Sequence, residues 1–159
     1  METNLFDQMA NIRRQTLEVM EGVTEELADR IPDGFRNNIR WHLGHVYTAT
    51  EFLALSGLKL PMILPEGFIE RFASGTSPLD DKAKSVPLPT LSQLGSLLKE
   101  QTERIREALP SSRLNESIPA ITTSTGLDLL TPEQALRYNL YHEGLHFAII
   151  PVYKKLLSR

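Results

Sequence analysis

The sequence contains no cysteine among its 159 residues. This absence excludes disulfides, zinc–thiolate sites, iron–sulfur clusters and a cysteine nucleophile, and it argues against a disulfide-stapled secreted domain. No apolar run reaches the about 20 residues that a membrane-spanning helix needs. The N-terminus also lacks the basic and apolar regions of a signal peptide. We therefore expect a cytoplasmic protein with no membrane partner.

Positive charge is scarcer than negative charge. The chain has 17 Lys and Arg against 20 Asp and Glu, which gives a formal net charge of −3. The few neighbouring arginines, Arg13 with Arg14 and Arg104 with Arg106, have glutamates close by in the sequence. This pattern is typical of solvated helix surface. Because nucleic-acid binding needs a clustered basic face, we expect no nucleic-acid partner.

Helical periodicity dominates the chain, and strand signals are thin. Apolar residues recur every three or four positions in four segments, which run over about 4–30, 37–56, 90–109 and 131–157. The last segment opens on Thr131-Pro132, a capping threonine with proline at the first helical position. Pro151 should kink this helix or break it locally. We predict an all-α four-helix bundle that spans residues 1–159 as a single domain.

Two of the connections between these helices are long. Residues 57–89 join the second and third helices and residues 110–130 join the third and fourth, whereas such connections usually hold about 2–8 residues. The first connection is long enough to run from one end of a bundle to the other, which would let the second and third helices lie parallel. It should contain a short extra helical turn over 65–72. Residues 118–125 form the only stretch whose composition favours a β-strand. Long loops often carry function, and both could cover one end of the bundle.

All four histidines lie on two predicted helices, His42 and His45 on the second and His142 and His146 on the fourth. His142 and His146 are four positions apart, so they project from one face, which is otherwise apolar. Two buried imidazoles need partners, and a divalent metal supplies one. The alternative is a pair of hydrogen-bonded core histidines without metal. Periodicity alone does not choose between His42 and His45 as the third ligand.

The segment from His142 to His146 also matches the H-E-x-x-H pattern of zinc peptidases, whose glutamate activates the attacking water. The third ligand of those enzymes lies downstream, but residues 147–159 include no Asp, Glu or His. We therefore do not favour a peptidase. Glu143 remains a weak candidate for a catalytic base or an orienting residue, with an exposed surface glutamate as the alternative. Asn38 and Glu51 are weaker candidates for supporting roles.

The two histidine segments resemble the DinB/YfiT-like superfamily of metal-binding four-helix bundles. The matching stretches are residues 39–46, 131–136 and 142–149, and their order and spacing extend the resemblance over essentially the whole chain. The resemblance implies an up-down-down-up bundle and a homodimer. It also implies that His45, His142 and His146 bind nickel, zinc or another divalent ion. The sequence departs from the family at Phe147-Ala148, where members commonly carry glycine.

The resemblance bears on function as well. Some family members are transferases or isomerases that use low-molecular-weight thiols such as mycothiol or bacillithiol, and others have no known activity. Three neutral imidazoles leave an open coordination position on a metal. We therefore predict a metal-dependent enzyme, a thiol transferase or a hydrolase, that acts on small molecules. The alternative is a non-catalytic, metal-stabilised binding or interaction protein. A mouth between the two long loops would favour the enzyme.

Overall fold

The fold is built almost entirely from helices. The computed structural model describes residues 2–158, so Met1 and Arg159 lie outside the described residues. The helices are α1 (Glu2–Val19), α2 (Glu25–Asp29), α3 (Ile39–Glu51), α4 (Phe68–Phe72), α5 (Asp81–Lys84), α6 (Leu91–Ala108) and α7 (Pro132–Leu157). A π-helical turn, Phe52–Ser56, extends α3, and a 3-10 turn, Ser111–Arg113, follows α6. The strands β1 (Ile121–Thr122) and β2 (Asp128–Leu129) form an antiparallel hairpin. The all-α prediction is confirmed.

The first predicted helix, residues 4–30, is two helices in the structure. α1 ends at Val19, Gly22 takes a left-handed φ of +73°, and Thr24 caps α2 by accepting a hydrogen bond from the Leu27 amide. A left-handed residue ends a helix, and glycine adopts this conformation without steric cost. The apolar spacing continues across this break, so periodicity did not reveal it.

The other predicted helix boundaries agree better with the structure. Thr90 and Gln93 form a reciprocal capping box at the start of α6. The Thr131 hydroxyl accepts a hydrogen bond from the Gln134 amide at the start of α7. The local break predicted at Pro151 does not occur, since α7 continues through it to Leu157. The extra turn predicted within 65–72 is α4.

The four long helices pack on one another around a shared core. α1 and α3 each contact both α6 and α7. Two apolar clusters fill this core, one that includes Leu43, Leu98 and Ile150 and another that includes Leu5 and Leu136. Buried polar residues lie between the two clusters along the helices, and they are Arg13, Thr50, Gln101, Asn139 and Glu143. Within the described part of the chain, no helix has the length and apolarity required to cross a membrane.

Candidate metal centre

The histidines are placed by the first turns of α3 and the middle of α7. The Asn38 side chain caps α3 by accepting a hydrogen bond from the Trp41 amide at 2.8 Å. His42 and His45 follow directly, and both are buried, with 8% and 7% of their surface exposed. α3 packs against α7, which brings these rings to His142 and His146.

Three imidazoles converge between α3 and α7. Nε2 of His142 lies 3.1 Å from Nε2 of His45 and 3.2 Å from Nε2 of His146. One ring nitrogen from each of the three lies within 4.8 Å of the others. Nitrogen ligands at about 2.0–2.1 Å from a tetrahedral zinc ion lie about 3.3 Å from one another. The three side chains therefore have the spacing to hold one divalent ion.

The hydrogen bonds around the rings leave the ε nitrogens available. Nδ1 of His45 lies 2.6 Å from the Phe72 carbonyl oxygen, so it carries the proton and donates, and Nε2 keeps its lone pair. Nδ1 of His142 is buried with no hydrogen-bond partner among the described residues. A neutral imidazole has one proton, so the facing ε nitrogens cannot each satisfy the others by hydrogen bonding. A shared cation would satisfy all three, and the donor set therefore fits a metal.

The electrostatic surroundings keep these imidazoles neutral at pH 7. Burial, with a smaller contribution from repulsion by the neighbouring His45, lowers the pKa of His42 and of His142 from 6.5 to about 4. Burial and repulsion from the other three histidines lower the pKa of His146 to about 2. Burial also lowers the pKa of His45, against the hydrogen bond from its ring to Phe72. Neutral imidazole is the form that binds metals.

Two neighbours fix the His45 ring. The Trp41 indole stacks on it, with ring centroids 4.5 Å apart and planes 8° from parallel. Gly44 allows α4 to come close, because a Cβ atom at this position would lie 2.5 Å from the Phe72 ring. The Phe72 carbonyl can therefore reach the His45 ring. A backbone acceptor of this kind leaves no signal in the sequence.

Glu143 is not an exposed surface residue. It is 2% exposed, and its carboxylate forms two bonds with the Arg13 guanidinium, Nε to Oε1 at 2.6 Å and Nη2 to Oε2 at 3.0 Å. The Thr16 hydroxyl donates to Oε1 at 2.7 Å. The prediction that Arg13 lies on solvated helix surface is also wrong, since it is 3% exposed. Both carboxylate oxygens are bound by α1, an environment that does not favour a general base.

The two other supporting candidates have structural partners instead. Asn38 is the cap of α3. Glu51 is fully buried and accepts hydrogen bonds from the Ile63 amide, the Gln101 side chain and Arg104.

The sequence did contain a signal that Arg13 faces inward. Met9, Arg13 and Thr16 are spaced by four and then three positions, which places them on one face of α1.

A cavity of about 370 Å³ adjoins the histidines. His45 and His142 form part of its wall, with Thr48 and Tyr138 beside them. Ala73 and Ser74 contribute from connection 57–89, and residues 121–124 contribute from connection 110–130. Both long connections therefore help to enclose the space beside the candidate metal centre.

The fold and the site define a helical protein with a three-histidine candidate metal centre. Residues 8–150, which make up most of the chain, match the family model of the DinB superfamily. The chain belongs to this superfamily, as its histidine segments predicted. A search of curated proteins found no match.

Proposed function

We propose that the protein binds one nickel or zinc ion through Nε2 of His45, His142 and His146, and that it transfers a low-molecular-weight thiol to a small-molecule substrate. The observation that carries the proposal is the convergence of three ε nitrogens at distances close to those of a tetrahedral site. A divalent ion with three imidazole ligands supplies Lewis acidity and an open position for a thiol.

The residues around the site support this chemistry. The Phe72 carbonyl orients His45, and His42 contacts the Nδ1 atom of His146 at 2.9 Å. Such outer contacts hold ligands in place and fix which ring nitrogen is protonated. The cavity beside His45 and His142 offers room for a substrate. An accessible cavity at the metal supports an enzyme over a closed, metal-stabilised interaction protein.

Helix directions support the up-down-down-up bundle that we propose for the single domain. Going along α1, Arg13 bonds Glu143 and the Val19 carbonyl then accepts from Lys154, so α1 and α7 run in the same direction. The same order of contacts holds between α3 and α6. Parallel α3 and α6 require a long connection between them, which residues 57–89 supply.

We also propose that the protein is a homodimer built on the outer face of α7. Tyr141, Leu145, Val152 and Leu156 are 59%, 53%, 46% and 41% exposed, and their spacing places them on one face. A Cβ atom at Gly144, beside this face, would meet nothing within 4 Å. Exposed apolar faces of this kind mark association surfaces, and an antiparallel pair of α7 helices across a two-fold axis would cover it.

The metal proposal is tested by elemental analysis. Chelator-treated protein reconstituted with Zn²⁺ or Ni²⁺ and then desalted should hold about one ion per chain. His45→Ala and His142→Ala should lose the ion. His42→Ala is the matched control, because it removes a buried imidazole from the same cluster but leaves all three ligands, so it should still hold about one ion per chain after desalting, although with lower affinity. Near-zero metal in the wild-type protein would overturn the proposal.

Transferase activity is tested with thiol and electrophile pairs. Metal-loaded protein should join a low-molecular-weight thiol to an aryl halide, so that a carbon–sulfur bond forms, the carbon–halogen bond breaks, and halide and the thiol proton are released. Metal-free protein and His142→Ala should show only the background rate. A protein that binds the metal but turns over none of a broad set of pairs would instead be the interaction protein.

A further inference from the structure

We infer that the cavity beside His45 and His142 takes a ligand with two parts, a metal-binding head and an apolar body the size of a single aromatic ring, and that Phe52 selects the body. The inference rests on the proposed function, because it names the class of molecule that the same site binds. In the proposed transfer, the thiol sulfur is the head and the acceptor supplies the body.

The wall of the cavity combines two chemistries. One part is formed by His45 and His142, whose ε nitrogens the proposed ion would share. Thr48, three residues further along α3, is 4% exposed and adds little polar surface. The apolar part comes from α3, the π-helical turn, β1 and α7, and it consists of Ala49, Phe52, Leu53, Ile121 and the ring of Tyr138. A ligand in the cavity therefore meets nitrogen donors on one part of the wall and hydrocarbon on another.

The accessible serine and threonine hydroxyls of the wall have partners in the hairpin or contact solvent. The Thr122 hydroxyl donates to Asp128 at 2.7 Å, and the Thr123 hydroxyl accepts from a backbone amide of the same hairpin at 3.0 Å. Ser74 and Ser124 are exposed. None of these groups requires a polar partner from a ligand, whereas an apolar body gains free energy by leaving water.

Phe52 lies where α3 emerges from the core. Glu51 before it and Leu55 after it are fully buried, whereas Phe52 is 52% exposed and lines the cavity. It opens the π-helical turn, and such turns occur frequently at functional sites. His45 and Phe52 are seven positions apart. Seven residues make two helical turns, so both side chains lie on one face of the helix, about 10 Å apart along its axis. This span fits a head of a few atoms followed by one ring.

The size of the cavity limits the body. Its volume of about 370 Å³ lies near the lower end of the range for small-molecule sites, about 300–1,000 Å³. One ring with a short head fills such a space, whereas a head alone leaves the Phe52 side chain in contact with water. The body should therefore add affinity that the head alone does not supply.

The experiment uses three probes that separate the head from the body. Phenylacetohydroxamate has both, acetohydroxamate has the metal-binding head alone, and phenylacetamide has the phenyl body without a strong zinc ligand. Each is titrated by calorimetry into zinc-loaded, full-length protein, and Trp41, which stacks on His45, gives a second signal by fluorescence. Phenylacetohydroxamate should bind at least about 10-fold more tightly than either partial probe. Equal binding of the two hydroxamates, equal binding of the two phenyl probes, or no binding of any probe would overturn the inference.

Zinc content separates this inference from the metal proposal. It is measured in the same sample before the titration. Protein without zinc would overturn the proposed metal centre, and the two-part ligand with it. Protein that holds about one zinc ion per chain but gains no affinity from the phenyl group would overturn the two-part ligand alone.

A polar substitution tests the role of Phe52, because an exposed side chain can be changed with little effect on the fold. Phe52→Ser should weaken phenylacetohydroxamate about five-fold and leave acetohydroxamate unchanged, since only the former has a body to lose contact. Leu79→Ser makes a similar change at a position that is 51% exposed and outside the cavity, and both affinities should stay at their wild-type values. Wild-type binding of phenylacetohydroxamate by Phe52→Ser would overturn the role of Phe52.

A charge at the same position provides a gain that misfolding cannot produce. Phe52→Lys should bind 4-carboxyphenylacetohydroxamate about three-fold more tightly than the wild-type protein does, because the lysine supplies a counter-charge at the far end of the body. Leu79→Lys adds the same charge outside the cavity and should show no gain. The absence of a gain in Phe52→Lys would show that the body does not lie against this residue, and it would overturn the inference.

Discussion

The Nδ1 atoms of His42 and His146 lie 2.9 Å apart, so one of them donates a hydrogen bond to the other. When Nε2 of His146 is a metal ligand, the single proton of that ring lies on Nδ1, and His42 is the acceptor. The proton of His42 then lies on its Nε2, which is buried with no partner among the described residues. In this arrangement His42 positions His146 and does not compete for the ion.

His42→Leu should lower the affinity for Zn²⁺ about 10- to 100-fold, the usual effect of losing an outer hydrogen bond to a ligand. His42→Asn should recover much of the loss, because its Oδ1 atom can accept from His146 near the position of the imidazole Nδ1. Competition with a chromophoric chelator measures both affinities. Equal affinities for the two variants would contradict this role.

Gly44→Ala should weaken zinc binding and destabilise the fold by about 1–3 kcal/mol, the usual cost of overpacking. The new methyl would overlap the Phe72 ring, move α4 away and remove the acceptor that orients His45. Chelator competition and urea unfolding measure the two effects. Gly95→Ala in α6 is the matched control, because its Cβ would make an ordinary 3.6 Å contact with Met20. It should leave zinc affinity unchanged and stabilise by up to about 1 kcal/mol.

The metal centre was predictable where it depends on local helical geometry. His142 and His146 are one turn apart on a long helix whose cap, Thr131, is visible in the sequence, so their common face follows from the helical period. The choice between His42 and His45 did not follow. Nearly every residue of α3 is buried, so the helix has no polar, solvated face. Without such a face, the sequence does not indicate which side of the helix points towards α7.

Features that depend on contacts between distant segments were not predictable. Arg13 and Glu143 are 130 positions apart, and although the spacing around Arg13 indicates that it faces inward, nothing in the sequence pairs it with Glu143. The acceptor for His45 is a backbone carbonyl on α4, and any residue type would provide it. The cavity needs walls from α3, α7 and both long connections, and their relative placement depends on tertiary packing.

Glu143→Gln should lower the free energy of unfolding by about 3–5 kcal/mol, because it leaves the buried Arg13 guanidinium without its counter-charge. Arg14→Ala, which removes an exposed pair with Glu18, should cost at most about 1 kcal/mol. Urea unfolding measures both. If Glu143 has only this structural role, the folded variant will keep wild-type zinc affinity. A stable variant with normal zinc binding but no turnover would instead restore Glu143 as a catalytic base.

The free energy of unfolding of the metal-free protein should fall as the pH falls from about 6.5 towards 4. The folded-state pKa values of His42 and His142 are about 4 and that of His146 is about 2, against a usual value of 6.5. Within this window the unfolded chain binds protons that the folded chain does not, so acid favours unfolding. One such proton corresponds to about 1.4 kcal/mol per pH unit.

Urea titrations between pH 7 and 5, above the range where most carboxylates titrate, measure this slope. The slope should be at least the value expected for one proton, about 1.4 kcal/mol per pH unit, because several histidines contribute. His146→Leu removes the group with the most depressed pKa and should show a shallower slope. A stability that does not change between pH 7 and 5 would contradict the buried, neutral state of the cluster.

Leu145→Asp should convert the proposed dimer into a monomer, because it places a carboxylate in the middle of the apolar face of α7. Light scattering after size-exclusion chromatography measures the mass. Ile69→Asp is the matched control, since Ile69 is 55% exposed on α4, away from that face, and the dimer should persist. Gly144→Ala provides a second test. Without a partner it should stabilise the helix by up to about 1 kcal/mol, whereas a closely packed partner helix would make the added methyl weaken the dimer. A wild-type protein that is monomeric at high micromolar concentration would show that this face has another role.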